Sequence, residues 1–499
     1  MRAVGFWNLV RRPRAAGTLM GRARAVVGPA EVLAAPLAAG VFVVSATAMV
    51  ASVFAGRPPL HSIPLLASLP LLRGISLRGP LVLKDGLPLP GLLAPAPHPI
   101  GDLGFFDLRV YRRAAEIVGG GGSLYTAKFR HGLGFTYPPF AALLFLPLRA
   151  LSLRGDELAV TLLNLALGAL VVHASLALAD PSGSNRRRLG RASHERRRAW
   201  LRSAAAWLAA AAAIWSEPFR TTIGYGQIDL LVAALVVVDL AYLPRSRLGG
   251  LGVGLAAALK LTPLVFIPYL LLSARRGMAA RAGAVFAGSV ALAFLTLPRD
   301  ARRYWLGGAF MKVSRVTGGS RLAGSGAANQ SLRGALMRLA PGLAHLTLVW
   351  LALALLLGVA GVLLAARAAR RSQEAWGFAL AAVTGLLISP VSWTHHWAIG
   401  VAATVALAGA SRRTVTAVGT GVALAIGWVS ANAIWRVIAL GPGAPLTARE
   451  LVLGDLYVLL GLAIILAAAT IEVRLALGSR SRRRAAAALL PTAGSLETS

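Results

Sequence analysis

The chain has 499 residues, of which 57% are hydrophobic and only 14% charged. A soluble domain of this length carries nearer a quarter charged residues, so water is excluded as the solvent for most of its surface. The formal charge of +34 comes from 52 Lys and Arg against 18 Asp and Glu. The Arg residues sit in short tracts between apolar runs, the pattern of topology signals and lipid headgroup contacts, so membrane lipids and not nucleic acid are the expected partners. Cysteine is absent, which removes disulfides, thiolate catalysis and Cys-based metal sites.

The first apolar run, Pro29–Phe54, is long enough to cross a hydrocarbon core of about 30 Å and reads as a retained helix behind a basic tail, 1–28, with Arg2, Arg11, Arg12, Arg14, Arg22 and Arg24. Positive residues favour the cytoplasmic side, which places the loop 55–136 outside. Its Gly56–Ile100 stretch interrupts leucine clusters with proline, so no straight crossing is expected there. Phe105–Val118 reads as an amphipathic helix near the interface, closed by Gly119–Gly122.

Continuous Ala- and Leu-rich runs favour helices over a barrel. Crossings are expected at about 137–153, 158–179, 203–219, 226–243, 249–273, 282–297, 346–366, 375–391, 395–410, 414–436 and 449–472. With the first helix, the fold class is all-α: a polytopic integral membrane helical bundle of about 12 transmembrane helices with a large first extracytoplasmic loop. The domain spans 29–475, with a second outer loop at 298–345 and a cytoplasmic tail at 476–499. One tract conflicts with this count: residues 186–202 carry eight Arg yet fall outside. Making 137–153 re-entrant and splitting 249–273 at Lys260-Leu261-Thr262-Pro263 removes the conflict, and the sequence leaves the orientation of 180–260 open.

Both long polar loops share one face, which points to chemistry or binding at the outer surface. Asp107 is the first candidate, a carboxylate placed to accept a hydroxyl proton; Asp102 competes with it, and an ion pair with Arg109 or Arg113 is the structural alternative. Tyr137, in Tyr137-Pro138-Pro139-Phe140, opens the next run as an interfacial contact or a plain helix start. Glu217-Pro218 and Gly224-Tyr225-Gly226-Gln227-Ile228-Asp229 put carboxylates between apolar helices, where they are costly and usually functional. Lys260 needs an anion, and a lipid phosphate would serve. The second outer loop offers Arg302, Arg303, Tyr304, Trp305, Lys312 and Arg315, then Asn329-Gln330-Ser331-Leu332-Arg333; Arg suits phosphate and the amides suit sugar hydroxyls. Trp393-Thr394-His395-His396-Trp397 closes the set at a late outer junction. A metal there would need further ligands, so no metal and no cofactor is expected.

In order and spacing, Asp107-Leu108-Arg109-Val110-Tyr111, Tyr137-Pro138-Pro139-Phe140, Gly226-Gln227-Ile228-Asp229, Lys260-Leu261-Thr262-Pro263, Tyr304-Trp305, Asn329–Gly334 and Ser389–Trp397 resemble the polyprenol-phosphate-mannose-dependent alpha-mannosyltransferases of actinobacteria, glycosyltransferase family 87. The resemblance covers about 100–410. It implies a GT-C fold in the cell membrane, an active site on the extracytoplasmic face, Asp107 as catalytic base, and His395 or His396 as the family's late histidine. The implied partners are a polyprenyl-phosphate-linked sugar donor and a lipid-anchored glycan acceptor of the phosphatidylinositol mannoside or lipomannan type. Arg109, Tyr111, Tyr137, Glu217, Gln227, Lys260, Arg302, Tyr304, Trp305, Asn329, Gln330, Arg333, Trp393 and Thr394 are the expected substrate contacts. An arabinofuranosyltransferase using polyprenyl-phosphate arabinose is the second reading, and a lipid-linked sugar flippase or transporter the third. The chain departs from the pattern in its long 57–100 insert and in Asp229, where Asn is commoner.

Overall fold

The computed structural model describes residues 29–54, 104–127, 129, 134–179, 192–311, 325–410, 434–435 and 437–488. Every regular element among them is helical: α1 (Pro29–Phe54), α2 (Phe106–Gly119), α3 (Pro139–Leu144), α4 (Leu153–Ala179), α5 (Ala192–Ala213), α6 (Glu217–Tyr225), α7 (Asp229–Tyr242), α8 (Leu251–Leu259), α9 (Phe266–Leu272), α10 (Arg276–Thr296), α11 (Pro298–Ala301), α12 (Leu332–Leu339), α13 (Leu346–Arg370), α14 (Glu374–Ile388), α15 (Ala398–Ala410), α16 (Ala448–Gly454) and α17 (Leu456–Ala488). Five of these, α1, α4, α10, α13 and α17, are long and apolar enough to cross a membrane. Leucines exposed along α13, among them Leu348, Leu355 and Leu356, are the surface of a membrane protein.

Several boundaries differ from those expected, each for a backbone reason. The run 137–153 is no single helix: Pro138 precedes the six residues of α3, and a 3-10 turn at Leu146–Arg149 contains Pro147. The run 249–273 breaks at Lys260, whose extended backbone (φ −149°, ψ 133°) separates α8 from the 3-10 turn Thr262–Val265 and α9. Pro263 has no N–H to continue the ladder. The run 203–219 ends at Ala213, and Pro218 starts α6 at its first turn, where proline fits best. Most of the run 414–436, and the insert 57–100, lie outside the described residues. The amphipathic helix is as expected: α2 buries Leu108, Tyr111, Ala114, Ala115 and Ile117 on one side.

Helix directions follow from the pairs that touch. Ala38 clusters with Ala204, Phe42 meets the Trp207 ring at 5.2 Å, and Trp215 Nε1 donates to Ser45 Oγ at 3.3 Å, so α1 and α5 rise together. A Cβ on Gly250 would meet the Met278 carbonyl and one on Gly254 the Ala282 carbonyl, which sets α8 parallel to α10. Because α10 starts where α9 ends, α8 and α9 form a V with Lys260 at its apex. Gly358 faces Ile388 and Gly361 faces Thr384, so α13 and α14 are antiparallel.

These directions sort the connections onto two ends of the bundle. One end gathers the close of α4 at Ala179, which touches Gly409 near the close of α15, the start of α5, and the turns at Arg275 and Arg371. There Arg275 pairs with Glu374 and Arg371 with Glu472. The other end gathers the close of α1, where Phe54 meets Phe105, and everything from α2 to the start of α4. The close of α4 and the start of α5 therefore lie at the end that carries Arg275, Arg276, Arg367, Arg370 and Arg371; residues 180–191 between them lie outside the described residues. Of the alternative count, the split at Lys260 is what the backbone does, and the 137–153 run is broken into α3 and a 3-10 turn.

The cysteine-free chain makes this arrangement directly measurable. Arg245→Cys, in the turn after α7, and Leu306→Cys, beyond α10, should label from opposite sides of sealed vesicles with an impermeant maleimide. Labelling from one side would refute the directions assigned to α8–α10.

Candidate active site

The site begins with a close approach between α2 and the α6–α7 junction. Phe105 N donates to Gly224 O at 3.0 Å, and Gly226 closes α6 in the left-handed region (φ 66°). A Cβ on Gly226 would lie 2.7 Å from Leu108 Cβ, so glycine is required both by conformation and by contact. The contact sets the first turn of α2, and with it Asp107, against Gln227.

Gln227 is the hub of the polar cluster. Its Oε1 accepts from Tyr137 Oη at 3.0 Å and from Tyr111 Oη, whose hydroxyls are 2.7 Å apart. Its side chain also lies close enough to Asp107 to favour the ionised carboxylate. Asn164 Nδ2 donates to the Gln227 carbonyl at 3.1 Å, anchoring the junction to α4. Tyr111 lies one turn beyond Asp107, on the same face of α2.

Beside this group, Lys260 Nζ donates to Asp229 Oδ1 at 2.5 Å. Nε2 of His395 lies 4.0 Å from Asp229 Oδ2. The His395 ring stands edge-on to Tyr225 at 5.4 Å and to His396 at 4.7 Å. The extended backbone of Lys260 turns its side chain out of the helical line to reach Asp229, at the first turn of α7.

A buried wall holds the late junction. Asn329 Oδ1 accepts from Ser392 N at 3.0 Å, and Gln330 N donates to Ser392 O at 2.6 Å. The Gln330 side chain donates to Ala327 O and accepts from Tyr457 N at 3.1 Å; its carbonyl accepts from Trp397 Nε1 at 3.2 Å. Tyr457 Oη donates to Glu217 Oε2 at 3.0 Å. Arg338 forms a buried ion pair with Asp455, and donates to Asn329 O at 2.9 Å.

All of this opens on one cavity of about 1580 Å³. Its polar part is lined by Asp107, Tyr137, Gln227, Lys260, His395 and His396. Tyr304, Arg333, Trp393 and Thr394 complete the expected residues in its wall. From there an apolar groove runs between α9, α13 and α14, past Trp350, Leu351, Leu355 and Val359 to Leu363 and Leu272. Burial raises the Asp107 carboxyl to about 7, helped by the nearby Asp229 carboxylate and opposed by Gln227 and Lys260.

The other expected residues lie away from the cavity lining. Arg109 pairs with Glu157 at 3.4 Å and donates to Gly104 O at 3.1 Å. Tyr111 stands behind Tyr137. Glu217, Asn329 and Gln330 are fully buried in the supporting wall. Arg302 is exposed, and Trp305 packs on Tyr304 and Phe286. Asp102, Lys312 and Arg315 fall outside the described residues. Sequence reasoning gave no role to Asn164, Trp350, Arg338, Asp455 or Tyr457. Trp350 lies inside an unbroken apolar run, which carries no signal of a cavity.

Comparison with known proteins places these residues in context. The profile of glycosyltransferase family 87 matches residues 135–390, which contain Tyr137, Gln227, Asp229 and Lys260; Asp107 and the two histidines flank that range. The chain is 34% identical over 299 residues to the polyprenol-phosphate-mannose-dependent alpha-(1-2)-phosphatidylinositol mannoside mannosyltransferase of Mycobacterium tuberculosis, covering 58% of this chain and 67% of that protein. It is 35% identical over 303 residues to the corresponding pentamannoside mannosyltransferase of Mycolicibacterium smegmatis, covering 59% and 67%. No solved structure matches.

Two measurements test the geometry. A base must be unprotonated to work, so a raised Asp107 pKa makes kcat/KM fall about tenfold per unit below the carboxyl's pKa and level off above it; a flat profile through the neutral range would exclude Asp107 as the titrating base. Asp455→Ala strands a buried guanidinium and should cost about 3–5 kcal/mol of stability, read as a lowered Tm in detergent. An unchanged Tm would show that Arg338 is held by its backbone partners alone.

Proposed function

From the premise that the chain belongs to glycosyltransferase family 87, we propose that it transfers mannose from polyprenyl-phosphate mannose to a hydroxyl of a lipid-anchored glycan of the phosphatidylinositol mannoside or lipomannan type. Membership makes it a polyprenol-phosphate-sugar-dependent glycosyltransferase of a membrane. The mannose, the acceptor and the residue roles are our reading. It is supported by the names of its relatives and by one observation above all: a carboxylate, an ammonium and two imidazoles line the cavity from which an apolar groove departs.

The groove suits a prenyl tail, and the polar part of the cavity suits the sugar phosphate. Asp107 takes the proton of the acceptor hydroxyl as its oxygen attacks the anomeric carbon from the face opposite the phosphate. The C1–O acceptor bond forms, the C1–O phosphate bond breaks with inversion, and the electron pair leaves with the phosphate. Lys260 and Arg333 offset the charge that develops there. Gln227 aims Asp107, and Tyr137 closes that side. Tyr304 and Trp393 offer ring faces to the sugars. An extracytoplasmic site in the cell membrane is supported by the cavity end of the bundle lying opposite the basic Arg275–Arg371 end, which the positive-inside rule favours on the cytoplasmic side.

The test is turnover of labelled polyprenyl-phosphate mannose, with polyprenyl-phosphate arabinose alongside, by the purified chain with a phosphatidylinositol mannoside acceptor. Asp107→Asn should lower kcat by about 10²–10⁴-fold with donor binding retained. Full activity in that variant would remove Asp107 from the base role, and product formed only from the arabinose donor would replace mannose as the sugar.

A further inference from the structure

Two buried polar atoms beside the cavity have no hydrogen-bond partner among the described residues, Asp229 Oδ2 and His395 Nε2. Their residues are 5% and 6% exposed. The atoms are 4.0 Å apart, too far for a hydrogen bond. An ion bonded to imidazole nitrogen and carboxylate oxygen at about 2.0–2.2 Å each, in the tetrahedral geometry of zinc, reaches both once the two side chains close by about half an ångström. His396 adds a third donor, and the three ligand atoms lie within 4.8 Å of one another. A side cavity of about 30 Å³, lined by Asp229, Lys260 and His396 among others, adjoins them; that is room for a single small species.

Charge balance points the same way. Lys260 supplies one positive charge against the carboxylates of Asp229 and ionised Asp107. A sugar phosphodiester adds a third negative charge, and with Arg333 also in the cavity wall one negative charge is left over in a low-dielectric bundle, which a cation beside Asp229 offsets. Lys260 bonds Oδ1 of Asp229, so the carboxylate can serve the ammonium with one oxygen and an ion with the other.

We propose that Asp229, His395 and His396 bind one divalent first-row metal ion of the zinc type and present its open coordination position to a phosphate oxygen of the donor. Three protein ligands with a fourth position left for substrate is the arrangement of catalytic zinc. Two imidazoles select against Mg²⁺ and Ca²⁺, which take oxygen ligands. The ion holds the phosphate as the bond to the sugar breaks, and Lys260 supports it from the far side of Asp229. This departs from the metal-free site expected from the sequence, and it rests on the donor reading above.

The full chain, purified in detergent and stripped with a chelator, is titrated with Zn²⁺ by calorimetry and with Co²⁺ by visible absorption. One equivalent is expected, with a ligand-field band for Co²⁺. Asp229→Asn and His395→Gln, which conserve volume, should each weaken binding at least tenfold while leaving the size-exclusion profile unchanged. Equal binding in the parent and both variants, or none in the parent, overturns the site. Turnover of polyprenyl-phosphate mannose should be lost on stripping and restored by Zn²⁺; full turnover by metal-free protein overturns the role. One tightly bound equivalent in a chain that turns over no polyprenyl-phosphate sugar supports the ion site and removes the donor reading instead.

Discussion

An ammonium inside an apolar bundle needs an anion, and the pairing of Lys260 with Asp229 is the constraint around which the site is arranged. On insertion scales, a lone Lys or Asp at a helix centre costs about 2.5–3.5 kcal/mol. Neither is lone here, because the backbone brings them together: α8 stops short at Lys260, and α7 starts at Asp229. The break that would weaken a plain crossing is what frees the lysine side chain to reach across. The surrounding groups are set by that placement. The Lys260 ammonium stands 6.0 Å over the Tyr137 ring, and Tyr137 shares the Gln227 oxygen with Tyr111, so the ammonium, the amide and the two phenols form one connected set beside Asp107.

Much of this was legible in the sequence, for definite reasons. Asp107, Lys260 and the His395–His396 pair stood out because charged or imidazole groups beside apolar runs are expensive unless used. The amphipathic pattern of α2 gave its extent to within a residue or two. The interruption at Lys260-Leu261-Thr262-Pro263 was visible as a proline three residues past a charge, and it resolved into a V instead of a straight crossing. Hydropathy could not decide that, since a kinked crossing and a returning hairpin have the same composition. Distances between segments over a hundred positions apart had no local signal either. Nothing in Asn329-Gln330 says that both amides are spent on Ser392, Tyr457 and the backbone.

The wall formed by Gln330, Trp397, Tyr457 and Glu217 divides labour in the bundle. Groups hydrogen-bonded to one another hold the late junction in place, and the groups facing the cavity stand on that support. The same division explains why Arg109 and Arg112 at the mouth pair with Glu157 and Asp156 at the start of α4: they fasten α2 to the bundle and so fix the angle at which Asp107 enters. At the opposite end Arg275 and Arg371 are held by Glu374 and Glu472, and the exposed Arg276 and Arg367 stand where lipid headgroups can reach them.

The apolar groove has a further consequence for recognition. From Trp350 to Leu363 it follows 14 residues of α13, about 20 Å at the helical rise, while its walls are side chains with no polar landmarks. A prenyl chain laid along it is gripped only over the isoprene units nearest the phosphate, and the remainder extends into the surrounding bilayer. Tail length past that point adds nothing to affinity, so carriers of different length compete on equal terms and discrimination falls to the head group.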